Sequence, residues 1–381
     1  MKFIISISFI LVIILLGCSK SEELQQFELK PAGKSLRIPI PSTSNSTSRN
    51  LRYFKDHGEE YLAVENSQTY TISIYRISDC THVKDVVPQV QGPNGLNGKM
   101  FGFDLVNLDT IFVSVNGFGD HFFMIDSDAN LKKEFSFEVK FRPFVALPPC
   151  FWSSCGFNVW VSNGKIFAGN ICRDAKENFL KMHEHSIGYC YDMKKDTIYD
   201  DSRHYPDIRD LNPYIELSEN SFTVNGNKTI LCYTRGHQLF VCQDTTWEVH
   251  NIKSRYINRE FEQKEVAPPD IQTAMTEYAT HPEYRALIYD KYRDVYYRMA
   301  YPGIDLTPED DVMKLGQFRR IFSVMIIDKD FNVIGETLMP EKIYNINMFF
   351  VNEEGLWFST NNIENPNFEE DAINFELFEL K

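Results

Sequence analysis

Several patterns are missing from this 381-residue chain, and each absence argues against a class of protein. Basic residues are scarce, since 39 Lys and Arg stand against 53 Asp and Glu, and they form no basic stripe. The net charge of −14 therefore disfavours a nucleic-acid partner, which would be bound through clustered cations. No Ser-His-Asp motif, glycine-rich phosphate loop or nucleotide fingerprint occurs, so no enzyme class is indicated by a motif.

Cysteines are few, and none has the Cys-x-x-Cys spacing of zinc or thioredoxin-like sites. Two pairs lie on the facing strands of predicted hairpins, Cys172 with Cys190 and Cys232 with Cys242. Outside the cytoplasm either pair could form a disulfide across its ladder. The alternative is that these are reduced cysteines of the core.

Long apolar runs are absent except at the N-terminus, where residues 3–16 follow the single basic residue Lys2. This run is shorter than the roughly twenty residues of a spanning helix and is typical of a secretion signal. Leu15-Leu16-Gly17-Cys18 resembles a bacterial lipobox, which predicts lipidation of Cys18. The charged segment 19–23 resembles a surface-export tag of Bacteroidetes lipoproteins; otherwise it is a solvated tether.

A pair of apolar strands recurs six times along the rest of the chain. Each copy has a short turn, an apolar strand, a connection and a second apolar strand that usually ends in Asp. The turns begin at His57, Asn107, Asn163, Asn225, Tyr292 and Asn352. Such a period, with almost no helical pattern, predicts an all-β fold, a six-bladed β-propeller. We expect residues 1–17 to be the signal peptide, 18–26 a tether and 27–381 the propeller.

The sixth copy reaches Lys381 without a fourth strand. We expect the N-terminal segment, either Phe27-Glu28-Leu29 or residues 36–40, to supply it and so close the ring, because closure removes an exposed sheet edge. Otherwise the last blade has three strands and the N-terminus is a loose tether.

The connections differ in length according to their position in each copy. Turns between the first and second strands and between the third and fourth are tight and rich in Asn, Asp and Gly. The long connections all follow the second or fourth strand, which predicts that they emerge on one face. Loops on a rigid scaffold commonly carry binding groups. Residues 270–280 form the predicted helix of that face, after Pro269.

Aromatic and cationic residues on this predicted face are the candidate binding groups. Phe151-Trp152 could stack on a sugar or pack on a partner protein, or could anchor its own loop. Cations in an acidic protein suit an anionic ligand, although each one alone can be a surface salt-bridge partner. The predicted binding residues are Arg142, Trp152, His204, Arg298 and Arg319.

Two clusters have metal-binding residue types but no matching motif. His183 and His185 could share a metal on an extended segment, but no third ligand lies nearby, and a solvated loop is the simpler interpretation. Residues 309–311 are acidic without a calcium-loop frame, and are expected to form a turn before a short helix. We expect no metal, no cofactor and no identifiable catalytic residue.

Four motifs carry a family resemblance: residues 91–95, Gly102-Phe103, residues 107–111 and residues 292–298. They resemble the signatures of an uncharacterised Bacteroidetes lipoprotein family, a domain of unknown function numbered 4221. The resemblance implies a six-bladed β-propeller and an envelope location, and it implies no activity.

These patterns together favour an outer-membrane lipoprotein, on the cell surface or the periplasmic side, whose propeller binds a glycan or a protein. A propeller enzyme acting on glycans, a lyase or hydrolase with scattered acid and base, is the alternative. A third possibility is a subunit of an envelope assembly.

Overall fold

A computed structural model describes most of the chain. The described residues are 27–115, 121–136, 146–147, 156, 158–169, 171–172, 182–208, 220–261 and 269–381.

Six four-stranded antiparallel sheets stand as blades around one axis, which confirms the predicted six-bladed β-propeller. The strands of blades one to three are β2 (Leu51–Asp56), β3 (Glu59–Asn66), β4 (Thr71–Arg76), β5 (Thr81–Val86); β6 (Met100–Asn107), β7 (Thr110–Val115), β8 (His121–Ile125), β9 (Leu131–Ser136); and β11 (Val159–Ser162), β12 (Lys165–Gly169), β14 (Gly188–Asp192), β15 (Thr197–Asp200). Those of blades four to six are β16 (Asn220–Asn225), β17 (Lys228–Tyr233), β18 (Gln238–Gln243), β19 (Thr246–Asn251); β20 (Glu283–Asp290), β21 (Val295–Tyr301), β22 (Ser323–Ile327), β23 (Val333–Leu338); and β24 (Phe349–Val351), β25 (Leu356–Ser359), β26 (Ala372–Leu380), β1 (Leu29–Pro39). β10 (Ala146–Leu147) and β13 (Ile171–Cys172) pair separately.

The N-terminal strand β1 is the fourth strand of the sixth blade, so the predicted closure is confirmed. It pairs with β26 in two stretches, from Leu29 opposite Leu380 and from Ser35 opposite Glu376, with an irregularity between them. Both segments that the sequence offered as donors therefore take part. Ile38 in this strand is fully buried between blades six and one.

A second contact ties the N-terminal segment to the fifth blade. The backbone of Phe27 donates a 2.9 Å hydrogen bond to the carbonyl of Ile334, and Phe27 bridges to Gly335. A Cβ on Gly335 would lie 1.9 Å from the Phe27 carbonyl oxygen, so only glycine permits this approach. The chain's first described residues thus join the last two blades.

The hydrophobic core lies between neighbouring blades. Because each blade is covered on both faces, its middle strands are apolar throughout; all seven residues of β21 and all five of β22 are buried. The outer strands face solvent and have more polar sequences. In β19, for example, every residue is at least partly exposed. This difference explains why the second and third strands of each copy gave the clearest signal in the sequence.

The two ends of the blades carry connections of different length. On one end, named here the short-turn face, no turn exceeds five residues, and all of these turns are described. Several use left-handed backbone at Asn or Asp, including Asn163, Asp196 and Asp244. The opposite end, named the long-loop face, carries the connections 87–99, 252–282, 302–322 and 360–371.

Two helices lie on the long-loop face. The first, α1 (Ile271–Thr280), begins after the N-cap Asp270, whose side chain accepts a hydrogen bond from the Thr273 amide, and it matches the predicted helix. The second, α2 (Val312–Gln317), is capped by Asp311, which confirms that the acidic segment starts a short helix. The helices touch, since a Cβ on Gly316 would lie 2.7 Å from the Met275 sulfur.

The prediction that Cys232 and Cys242 could form a disulfide is wrong, because the strand register separates the two residues. Cys232 lies opposite Leu239, and Cys242 lies opposite Thr229, so the thiols do not face each other across the ladder. Cys190 is also free, since it lies opposite Phe167, and Cys172 pairs through its backbone with Ala146 in the separate sheet. The four cysteines whose side chains are described, Cys80, Cys190, Cys232 and Cys242, form no disulfide.

If β1 closes the ring, two neighbouring substitutions in this strand should lower the stability of the protein by different amounts. Ile38→Ala should lower the free energy of unfolding by about 2–4 kcal/mol, because it leaves a cavity at the seal. Arg37→Ala, at a half-exposed side chain paired with Glu369 and Asp371, should cost less than about 1 kcal/mol. Urea unfolding would measure both, and equal losses would contradict a sealed ring.

Candidate functional site

A cavity of about 340 Å³ opens on the long-loop face between the connections of blades five and six. Its lining is strongly charged and of both signs. The carboxylates are Glu309, Asp310, Asp311 and Glu364, and the cations are Lys314, Arg320 and Lys342. Leu315 and Ile363 are its apolar members, and no residue of the lining is aromatic. The cavity can therefore bind charged or hydrogen-bonding groups, but it offers no ring for stacking.

Arg320 organises one side of this cavity. Its guanidinium donates to Asp310 and, at 3.4 and 3.5 Å, to the two carboxylate oxygens of Glu364. Lys342 lies 3.6 Å from the same Glu364 carboxylate. Asp310 belongs to the connection 302–322 and Glu364 to 360–371, so Arg320 holds two separate loops in a fixed relation.

Asp310 remains ionised in this arrangement. The hydrogen bond from Arg320, with a second from the Thr307 amide at 2.8 Å, lowers the pKa of Asp310 to about 2. A permanently charged carboxylate of this kind suits ion pairing with a ligand, whereas a general acid needs a raised pKa.

The helix pair beside the cavity exposes apolar side chains. Ile271 is 63% exposed, Met313 40% and Tyr278 37%. Met313 belongs to α2, whose neighbouring residues Asp311 and Lys314 line the cavity. Apolar groups beside fixed charges are the combination found in protein–protein interfaces.

Arg319, a predicted binding residue, is instead a buried brace. Its guanidinium donates to Glu283 at 2.6 and 3.1 Å and to the backbone carbonyls of Tyr278 and Leu315. It thereby fastens both helices to the inner strand of blade five. Only 1% of the residue is exposed, so its role is to hold the long-loop face rather than to meet a ligand.

Opposing effects act on the carboxylate of Glu283, which also accepts a 2.7 Å hydrogen bond from Arg285. Burial raises the pKa of Glu283, but Arg285 and Arg319 more than offset this effect and hold the pKa below its usual value. The carboxylate is therefore ionised and compensated, which makes this buried cluster dependent on both arginines.

Arg298, also a predicted binding residue, is fully buried between blades four and five. It stacks on Tyr284 at 3.7 Å and donates to the carbonyls of Tyr233 and Gly236 at 2.8 and 3.0 Å. Its Nε and Nη1 atoms have no partner among the described residues. The side chain is not presented to solvent, because the blade interface covers it.

His204 lies at the surface, where its carbonyl accepts a 2.7 Å hydrogen bond from the Trp247 indole. The neighbouring Arg203 is engaged by Asp201 at 2.7 Å and lies over Phe167. Three other predicted groups, Arg142, the Phe151-Trp152 tip and the lipidation site Cys18, lie outside the described residues. The structure therefore brings no two of the five predicted binding residues together within its described part.

Sequence reasoning missed Lys342 and Glu364 as cavity residues. Both belong to connections in blades five and six that carry no motif, and only folding places them beside Arg320. The signal that was available is the paired Arg319-Arg320, of which the second residue faces the cavity and the first is buried.

No three His, Cys, Asp or Glu side chains are arranged to hold a metal ion in the part of the chain that the structure describes. Burial lowers the pKa of His185, which is one of the two histidines considered as ligands. None of the described helices has the length and apolar character needed to cross a membrane.

Comparison with known proteins confirms the family resemblance. Residues 189–338 match the family model of the domain of unknown function DUF4221. A crystal structure of a DUF4221 member from Bacteroides vulgatus is 26% identical, covers 94% of this chain and 99% of its own, and has a TM-score of 0.78. A Bacteroides fragilis protein whose name calls it exported shares the fold at 9% identity, with 94% and 96% coverage and a TM-score of 0.50. No protein of curated function matches.

The two buried arginines should respond differently to the same substitution. Arg319→Met should lower the free energy of unfolding by about 3 kcal/mol, because it removes a compensating charge from buried Glu283 and frees both helices. Arg298→Met should cost no more than about 1 kcal/mol, because Arg298 has no carboxylate partner among the described residues and its charge is itself expensive to bury. Urea unfolding of both variants checks this, and equal losses would contradict the assigned roles.

Proposed function

We propose that this chain, whose residues 189–338 carry the DUF4221 domain, is an envelope lipoprotein whose propeller binds an envelope protein through its long-loop face. The observation that carries the proposal is the helix pair, which exposes Ile271, Tyr278 and Met313 beside the charged cavity. Arg319 and Arg320 hold these elements rigidly, so little conformational entropy is lost when a partner docks.

A protein suits this cavity better than a glycan. Sugar rings are commonly held by stacking on aromatic side chains, and the lining of the cavity contains none. Fixed carboxylates and cations instead match the charged side chains of a protein partner, which would also cover Met313 and Ile271.

The direction of β1 supports an outward-facing loop surface. Leu29 pairs with Leu380 and Pro39 with Ala372, and β26 runs from the long-loop face towards the short-turn face. Leu29 therefore starts at the short-turn face. A lipid on Cys18 would join the propeller there through residues 18–26, an extended reach of roughly 30 Å. The long loops would then point away from the membrane.

The alternative of a glycan-cleaving enzyme has less support. Such an enzyme needs a carboxylic acid with a raised pKa in a cleft. Burial raises the pKa of Glu65 to about 7, but Glu65 is 8% exposed and does not line the cavity. Asp310, which does line it, has a lowered pKa.

Cross-linking in living cells tests the docking surface. A photo-reactive residue at Met313 should form a discrete protein adduct, whereas one at Val333, a position of similar exposure on the outer edge of blade five, should form none. Lys314→Glu with Lys342→Glu should reduce the adduct, while Lys194→Glu with Lys329→Glu on the short-turn face should not. Equal adducts at both positions, or a protease-resistant glycan adduct at 313, would contradict a protein partner.

Metabolic labelling with a fatty-acid analogue tests the anchor. The wild-type chain should incorporate the label and sediment with membranes, and Cys18→Ser should lose both properties while its propeller keeps the same melting temperature. Cys80→Ser, at a half-buried thiol of the propeller, is the control and should remain labelled. Labelling that survives Cys18→Ser would refute the lipoprotein assignment.

A further inference from the structure

A second cavity, of about 370 Å³, lies at the opposite end of the axis from the loops. It is lined by the ends of the inner strands of blades five, six, one and two, where these strands surround the channel at the short-turn face. All of the adjoining turns between first and second strands are described. Its volume is within the range of about 300–1,000 Å³ that small-molecule sites occupy.

Three tyrosines, Tyr53, Tyr289 and Tyr292, form part of the wall. Tyr53 packs on Phe350 with ring centroids 5.6 Å apart and planes 13° apart, and its hydroxyl donates to Glu60 at 2.5 Å. Tyr289 packs on Tyr296 at 5.0 Å and donates to Asp294 at 2.9 Å. Both rings are therefore fixed before any ligand arrives, which reduces the entropy lost on stacking.

The charged side chains of this lining are both basic, although Glu60 and Glu353 lie against one of them. Lys55 and Lys291 are its charged lining residues, and no carboxylate belongs to the lining, although the chain carries a net charge of −14. Lys55 is paired with Glu353 at 2.6 Å and Glu60 at 3.3 Å. Lys291 is exposed and lies 5.1 Å over the Tyr292 ring. It forms no close ion pair with a described residue, but Glu353 is near: Lys55 first, and Lys291 in addition, lower the pKa of Glu353.

Apolar groups complete the wall. Leu105, Val106 and Val351 line the cavity, and Val106 is 41% exposed although it lies on an inner strand. Burial, with the hydrogen bond to Asp294, raises the pKa of Tyr289 to about 12, so this phenol adds no negative charge. The cavity thus combines ring faces, apolar surface and one cation, Lys291, that is not held in a close ion pair.

The geometry points to a binding site for an acidic sugar in this channel mouth, with the sugar ring against the tyrosines and its carboxylate at Lys291. A sugar presents an apolar ring face that packs on an aromatic ring, and a uronic acid adds one carboxylate at its edge. A bare phosphate ion would gain nothing from the tyrosines, and phosphate sites usually provide arginine forks or several backbone amides. The site is on the face opposite the helix pair, so it is independent of the proposed protein partner.

The test measures binding of D-glucuronate to the mature propeller by ligand-observed NMR. D-glucose, which differs only at carbon 6, is the neutral comparison, and inorganic phosphate is the competitor. Glucuronate should bind saturably and more tightly than glucose, and added salt should weaken it. Phosphate should displace it poorly.

Two substitutions locate the ligand. Lys291→Gln should weaken glucuronate binding about fivefold and leave glucose unaffected. Tyr292→Ala should weaken both sugars. Lys329→Gln, at an exposed lysine on the same face but at the outer edge of blade five, is the matched control and should change neither, and melting temperatures should confirm that all three variants fold.

Several outcomes would overturn the assignment. Absence of glucuronate binding, equal affinity for glucose, or an unchanged affinity in Lys291→Gln would each refute an acidic-sugar site. Displacement by phosphate at concentrations similar to those of glucuronate would show a nonspecific cation patch. Each of these results is independent of cross-linking at Met313, so the two proposals can fail separately.

Discussion

The antiparallel pairing of β1 with β26 is the constraint on which the rest of the molecule depends. A six-bladed ring built only from residues after 50 would leave β26 as the outer edge of a three-stranded blade, since no strand follows it before Lys381. The N-terminal strand supplies the missing hydrogen bonds and buries Ile38 against blade one. An unpaired edge would otherwise expose backbone groups to aggregation. The extra contact of Phe27 with Gly335 extends the same seal to blade five.

Closure of the ring also makes the two ends of the propeller different. Every first and third strand runs towards the short-turn face, and the long connections lie at the other face. The two ends then acquire different chemistry. The long-loop face has rigid charges of both signs and exposed apolar helix residues, whereas the channel mouth on the short-turn face has tyrosines and lysines. One scaffold therefore offers two surfaces with little chemistry in common, and the N-terminal strand enters beside only one of them.

Compensation of buried charge explains why two of the predicted binding residues, Arg298 and Arg319, lie inside the protein and not at its surface. Arginine residues near strand ends were expected at the surface, since each is costly to bury. Arg319 is buried because Glu283 and two helix carbonyls compensate it, and Arg298 because it stacks on Tyr284 and bonds two carbonyls. Arg320, the residue after Arg319, faces the cavity instead. Adjacent residues on a connection point in opposite directions, and a sequence without coordinates cannot assign which one is outward.

By itself the sequence determined the number of blades, the order of strands, the donor of the closing strand and the sidedness of the loops, because these follow from hydrophobic period, turn residues and connection length, all of which are local. It also indicated α1 over residues 270–280 and the start of a short helix after the acidic residues 309–311, whereas the capping side chains were identified by the structure. The tertiary structure alone decided which side chains meet. The strand register places Cys232 and Cys242 opposite other residues, so they do not pair. The packing of blades four and five buries Arg298. The closed ring brings Tyr53 and Tyr289, which are far apart in the chain, to one cavity. Contacts between such side chains depend on distances across the ring, and no local pattern in the sequence encodes those distances.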